Sequence, residues 1–202
     1  MRLKLDLTLS EKIFFCSDTH AFHKNICAGT TEWDCSPSKL RRFQTPEEMT
    51  EEMADNFNSV IPEDGYLFHT GDFSFAGKEN IKRFREMLNV KNLVLITGNH
   101  DHHIEKGDYD YLFTVREKYM HLSVGKELNL ILFHHPIQSW DGMGKGFYHL
   151  HGHQHWTAND RFGNGRMMDV GVDGGALFPY SLNQIVGLLE HRKSVDPKDH
   201  HI

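Results

Sequence analysis

Leu93-Val94-Leu95-Ile96-Thr97-Gly98-Asn99-His100-Asp101 is the stretch around which the chain is organised. Leu93 to Ile96 form a short unbroken apolar run, the pattern of a strand buried on both faces. The run stops at Thr97-Gly98, and Asn99, His100 and Asp101 follow with no apolar residue among them. Such a strand carries an amide, an imidazole and a carboxylate to one edge of a sheet. In α/β folds that edge, at the carboxyl ends of the strands, is where ligands bind. Alone, the stretch reads equally well as an ordinary turn, since Gly-Asn is good turn chemistry.

The same construction recurs on both sides of it. Upstream, Ile13-Phe14-Phe15-Cys16 ends at Ser17-Asp18-Thr19-His20, and Tyr66-Leu67-Phe68-His69 ends at Thr70-Gly71-Asp72. Asp18 and His20 are two apart, a spacing that points both side chains to one side of an extended chain. Downstream, Leu128 to Phe133 ends at His134-His135-Pro136, and Phe147 to Leu150 leads to His151-Gly152-His153-Gln154-His155. Two carboxylates, one amide oxygen and five imidazoles (His20, His100, His134, His153 and His155) are thus placed at five strand ends. Histidine is the commonest metal ligand and the usual acid–base group near neutral pH, and the chain has 16 of them.

Between these runs the helix signals are clear. Thr45-Pro46-Glu47-Glu48 supplies an N-cap, a proline at the first helical position and the glutamate of a capping box. Met49, Met53, Phe57 and Val60 then mark a packing face. A second helix is expected over 78–88 with Ile81, Phe84 and Leu88 on one side, a short one over 109–119, and another over 181–189. Residues 166–172 and the alternating start of the chain read as strands. Residues 21–44 have no period and read as a long loop over the sheet edge, and loops of that length are usually functional. Early strands alternating with helices, followed by a strand-rich second half, predict an α/β domain with a second sheet packed on the first.

The 202 residues fit one domain, taken as 1–193 with a polar tail over 194–202. A composition of 39% hydrophobic and 25% charged residues is that of a soluble globular protein. No apolar run is long enough to span a membrane, and no signal-peptide core is present, so a cytoplasmic site is expected. For a phage-encoded chain this is the host cytoplasm. A formal charge of -6 speaks against stable binding of duplex nucleic acid, though not against a small phosphate ester held by metals. Cys16, Cys27 and Cys35 are an odd number without a secretory signal and read as free thiols in a reducing compartment. Cys27 and Cys35 with His23 do not match a common zinc spacing.

The order D-x-H, G-D, G-N-H-D, a lone H and G-H-x-H resembles the calcineurin-like metallophosphoesterase family, in particular its small phage and bacterial members. The resemblance runs from Ile13 to His155, and Asp169-Val-Gly-Val-Asp173 looks like the closing segment of those members. It implies a two-sheet β-sandwich flanked by helices, with two metals at the sheet edge. Asp18, His20 and His155 would bind one metal, Asn99, His134 and His153 the other, and Asp72 would bridge them. His134 is chosen over His135 because it directly continues the strand. His100 would be the catalytic histidine, oriented by Asp101, and Arg42 and His23 are candidate substrate contacts. Mixed imidazole, carboxylate and amide ligands suit Mn²⁺ foremost, then Fe²⁺, Zn²⁺ or Ni²⁺, over Mg²⁺. Two such ions clamp phosphoryl oxygens and turn a bridging water into hydroxide. The expected activity is hydrolysis of phosphodiesters, cyclic nucleotides or nucleic-acid fragments among them. A phosphomonoesterase or protein phosphatase, and a non-catalytic metal-retaining scaffold, are the alternatives.

Overall fold

The apolar runs become strands because each is walled by apolar groups on both sides. The computed structural model describes residues 1–36, 39–75 and 77–194. The polar tail beyond Ser194, and positions 37 and 38 of the long loop, lie outside the described residues. One five-stranded sheet has the order β10-β2-β3-β4-β5, with β2 (Ile13–Cys16), β3 (Tyr66–His69), β4 (Asn92–Ile96), β5 (Val115–Glu117) and β10 (Tyr180–Ser181). Strands β2 to β5 are mutually parallel and β10 is antiparallel to β2. The other has the order β1-β6-β7-β8-β9, with β1 (Arg2–Leu5), β6 (Tyr119–Val124), β7 (Leu128–Phe133), β8 (Tyr148–His151) and β9 (Met167–Asp169). The fold is therefore the α/β two-sheet sandwich expected from the sequence.

Alternation within each run sorts side chains between two cores. Ile13, Phe15, Phe68, Val94 and Ile96 face the second sheet and pack on Leu122, Leu130, Leu132, Leu150 and Met168. Phe14, Cys16, Leu67, Leu93 and Leu95 face the other way, under helices α1 (Pro46–Val60) and α2 (Lys78–Met87). Helix α1 begins as its sequence dictates, with the Thr45 hydroxyl accepting from Glu48 N at 3.1 Å. The Glu48 carboxylate accepts from Gln44 N, one residue earlier than the usual capping box. Met49, Met53 and Phe57 are buried, but Val60 is 39% exposed and Ile61 takes its place in the core. After the five-residue α3 (His102–Lys106), helix α4 (Leu182–Leu189) closes the sandwich, started by a full capping box between Ser181 and Gln184.

The helix expected over 109–119 does not form. A single 3₁₀ turn at Asp110–Leu112 is followed by β5, an edge strand pairing Val115 with Val94. Its half-buried Val-Arg-Glu is too short to show a period, and the neighbouring strand decides its conformation. All three cysteines are free. Among the described residues no helix is long and apolar enough to cross a membrane.

Candidate metal centre

Parallel strands β2, β3 and β4 end side by side, and β7 and β8 of the other sheet end against them. The turns that follow are laced together by backbone hydrogen bonds: Asp18 N to Gly71 O at 2.9 Å, His20 N to Asp72 O at 3.0 Å, and Gly152 N to His134 O at 2.9 Å. The approach is close enough that a Cβ at position 152 would collide with the Ser17 hydroxyl and the Asp18 carboxylate. Asp18, His20, Asp72, His153 and His155 all adopt positive φ, between 46° and 73°. Left-handed backbone is uncommon outside glycine and is concentrated at functional sites, where surrounding structure enforces it.

The expected ligands meet in two groups, joined by one oxygen of Asp72. Its Oδ2 lies 3.5 Å from His20 Nε2 and 3.4 Å from His134 Nε2. On one side, Asp18, His20 and His155 bring ligand atoms within 4.8 Å of one another. The two ring nitrogens His20 Nε2 and His155 Nε2 are 3.2 Å apart, and Asp18 Oδ1 is 3.6 Å from His155 Nε2. On the other side, Asn99 Oδ1 sits 2.9 Å from both His134 Nε2 and His153 Nδ1. His135 flanks this second group, its ring 4.4 Å from that of His153, while His134 is the buried member of the pair.

The residues fit a pair of cations. Asp18 is fully buried, yet its Oδ1 has no hydrogen-bond partner and faces two imidazoles. A buried carboxylate oxygen left unpaired is costly, and an ion removes that cost. The tautomers agree. His134 Nδ1–H donates to Thr70 O at 2.8 Å and His155 Nδ1–H to Asp173 Oδ2 at 2.8 Å, so both rings turn Nε2 toward the centre. A carbonyl or carboxylate behind the ring is the usual support of a metal-bound histidine. Burial works against a charge on His134, but the Asp72 carboxylate outweighs it and the ring is pushed up to about 9. A cation arriving there replaces the ring's second proton.

Two charged residues behind the centre carry more weight than the sequence suggested. Arg41, rather than Arg42, is drawn inward. It is buried and donates to Asp173 through Nε (2.8 Å) and Nη2 (3.0 Å), to Asp18 O and to Thr19 O at 2.6 Å each. Asp173 in turn holds His155. Despite burial, Arg41 and His155 keep the Asp173 carboxyl well below the usual carboxylate range. Arg42 is exposed and lines a different depression with Glu52 and Leu177, so the structure does not bring it to the expected substrate. The signal in the sequence was the Asp169–Asp173 segment, an acid just past a strand like the others. Replacing Arg41 with alanine is expected to weaken metal binding about 10- to 100-fold, the usual cost of losing a ligand's support. It should also lower the thermal midpoint. Arg42→Ala should change neither, as read by metal titration and melting curves.

Asp101 also departs from its expected role. Its Oδ2 accepts from Asp72 N and Gly98 N at 2.8 Å each and its Oδ1 from Phe73 N at 2.9 Å. These amides occupy it, so it fixes the turn bearing Asp72 rather than the ring of His100. Burial pushes its carboxyl up to about 7, with the amides pulling the other way. His100 is exposed, its ring 5.4 Å from that of His20, and its backbone N–H donates to Asp72 Oδ1 at 2.8 Å. His23 is buried three residues beyond His20, stacked on Phe75 at 3.7 Å between ring centres. Burial lowers its ring to about 4, so it is neutral. His20, His23, His100, His153 and His155 share one cavity of about 540 Å³ with Asp72, Phe75 and Trp33.

The chain matches a family model described as calcineurin-like phosphoesterase over residues 11–194. It is 30% identical over 190 residues to an uncharacterized protein of Methanocaldococcus jannaschii, covering 91% of this chain and 94% of that one. In structure it is similar to a protein of unknown function from Aquifex aeolicus, with a TM-score of 0.62 and 20% identity over 88% of this chain and 98% of that one. A weaker likeness, with a TM-score of 0.42 and 19% identity, is to a nuclease of Pseudomonas putida, over 72% of this chain and 61% of that one. With the match spanning every strand end that contributes to the centre, the chain belongs to the calcineurin-like phosphoesterase family, which uses a centre of two divalent metals.

Proposed function

We propose that the protein is a dinuclear metal-dependent phosphodiesterase in which His100 is the general acid. The observation that supports this most directly is Asp72 Oδ2, nearly equidistant from His20 and His134 and so able to serve two ions at once. When bound, the ions would neutralise phosphoryl oxygens and make a water acidic enough to attack at neutral pH. Asp18, His20 and His155 would hold one, and Asn99, His134 and His153 the other, with Mn²⁺ the foremost candidate and Fe²⁺, Zn²⁺ or Ni²⁺ behind it. His100 stands at the open side of the same cavity. It is free to donate a proton to the departing ester oxygen.

A diester suits the cavity better than a monoester. A monoester brings a second negative charge, and among the described residues lining the cavity Lys39 is the one lysine or arginine, Arg41 being occupied by Asp173 and two carbonyls. Cyclic nucleotides and nucleic-acid fragments are the substrates favoured, in a reducing compartment such as the cytoplasm, where free Cys16, Cys27 and Cys35 persist. Hydrolysis of a diester, a 2′,3′-cyclic nucleotide and a monoester should be compared side by side with Mn²⁺. The expected result is a kcat/KM at least about tenfold higher for the first two, a difference of roughly 1.4 kcal/mol in transition-state binding. A preference for the monoester would point to a phosphatase, and no turnover of any of them to a metal-retaining scaffold.

A further inference from the structure

The cavity over the metal centre has two chemically different ends. One end is ring nitrogens and carboxylate, where a phosphate belongs. The other carries Trp33, Ile26, Asn25 and Lys39. Trp33 is 51% exposed, an unusual place for an indole, and it makes a T-shaped contact with His23 at 5.4 Å between ring centres. His23 cannot present its Phe75-covered face, but it joins the two ends: its ring is 5.5 Å from that of His20. Two ring-to-ring steps therefore lead from the exposed indole to an expected metal ligand, all within one cavity. His23 is more than nine-tenths buried, and its Nδ1 has no hydrogen-bond partner.

We infer that Trp33, with Asn25 and Lys39 beside it, forms a stacking subsite in which its exposed indole receives the nucleobase of a nucleotide-type ester whose phosphate lies on the metal centre. This rests on the phosphodiesterase reading for the position of the phosphate, and it adds what selects the rest of the substrate. An aromatic platform beside polar Asn25 and Lys39 suits a flat heterocycle with ring heteroatoms better than an aliphatic chain. Stacking on an aromatic side chain tolerates any base, because every base has a π-face. The subsite would therefore distinguish nucleotides from sugar phosphates without strongly distinguishing one base from another. It gives the long loop a task that the metal centre alone does not need.

The test is binding rather than turnover. Full-length protein with Mn²⁺ is titrated calorimetrically with adenosine 5′-monophosphate and with ribose 5-phosphate, which differ by the base. The nucleotide should bind roughly 5- to 150-fold more tightly, the range of one base stacked on one aromatic ring. Trp33→Ala should abolish that advantage while leaving the ribose 5-phosphate affinity unchanged, and Trp33→Phe should retain part of it. Equal affinities in the native protein, failure of both compounds to bind, or an advantage that survives Trp33→Ala would each overturn the inference. The two readings fail separately. A protein that hydrolyses diesters but binds both compounds equally loses only the subsite. One that prefers the nucleotide through Trp33 but hydrolyses nothing loses only the activity.

Discussion

Asp72→Asn is expected to strip the centre of both ions at once. Elemental analysis of the native protein should give close to two divalent transition ions per chain, and the variant less than one. Asparagine preserves the shape of the turn and can still accept the His100 amide that Asp72 Oδ1 accepts at 2.8 Å. What it removes is the negative charge from the one oxygen that stands 3.5 Å and 3.4 Å from imidazoles of the two ligand groups. An outer partner of a metal ligand is typically worth 10- to 100-fold in affinity or activity. A shared ligand should therefore cost more than about 100-fold in kcat/KM. Loading should also weaken as the pH falls below about 9, because His134 must give up a proton before it can bind an ion. Unchanged stoichiometry in the variant would remove Asp72 from the bridging position.

The second large effect separates two neighbours, Asn99 and His100. Asn99 touches both His134 and His153 through Oδ1, so Asn99→Ala should loosen the second ion, and excess Mn²⁺ should restore part of the activity. His100 offers its backbone N–H to Asp72 and leaves its ring at the open side of the cavity. His100→Ala should keep its metal and yet lose roughly 10²- to 10⁴-fold in rate, the usual worth of a general acid. No amount of metal should rescue it. The loss should shrink for esters with very acidic leaving groups, such as nitrophenyl diesters, which depart without a proton. A His100 variant that loses metal, or is equally impaired on good and poor leaving groups, would assign the ring a different role.

The strand ends were legible because the code there is local: a buried apolar run, then a polar group delivered to the same edge. That pattern brought Asp18, His20, Asp72, Asn99, His100, His134, His153 and His155 to one sheet edge, and the family resemblance then set His100 apart from the expected ligands. The support behind those ligands was not legible, because it is made across the chain. Arg41 meets Asp173 across 132 residues, and nothing around either one announces the other. Asp101 follows His100 directly, yet its carboxylate turns back to amides 28 and 29 residues earlier. Adjacency in sequence was a poor guide there because a tight turn sends consecutive side chains in different directions. Strand β5 escaped for a related reason: its conformation is imposed by its neighbour, β4.

The left-handed backbone of five expected ligand residues narrows the alphabet available to this centre. Asp, Asn and His are the side-chain-bearing residues that enter that conformation with least resistance. All three can also coordinate hard or borderline ions. At Asp18, His20, Asp72, His153 and His155 a replacement must satisfy both conditions, and a branched or bulky donor fails the backbone before its coordination chemistry is tried. Asn99 and His134 are free of that constraint. Substitutions to other donor types should therefore be tolerated best at those two positions, both of them in the same group of expected ligands. The group of Asp18, His20 and His155 is left-handed throughout, whereas in the group of Asn99, His134 and His153 that conformation is confined to His153.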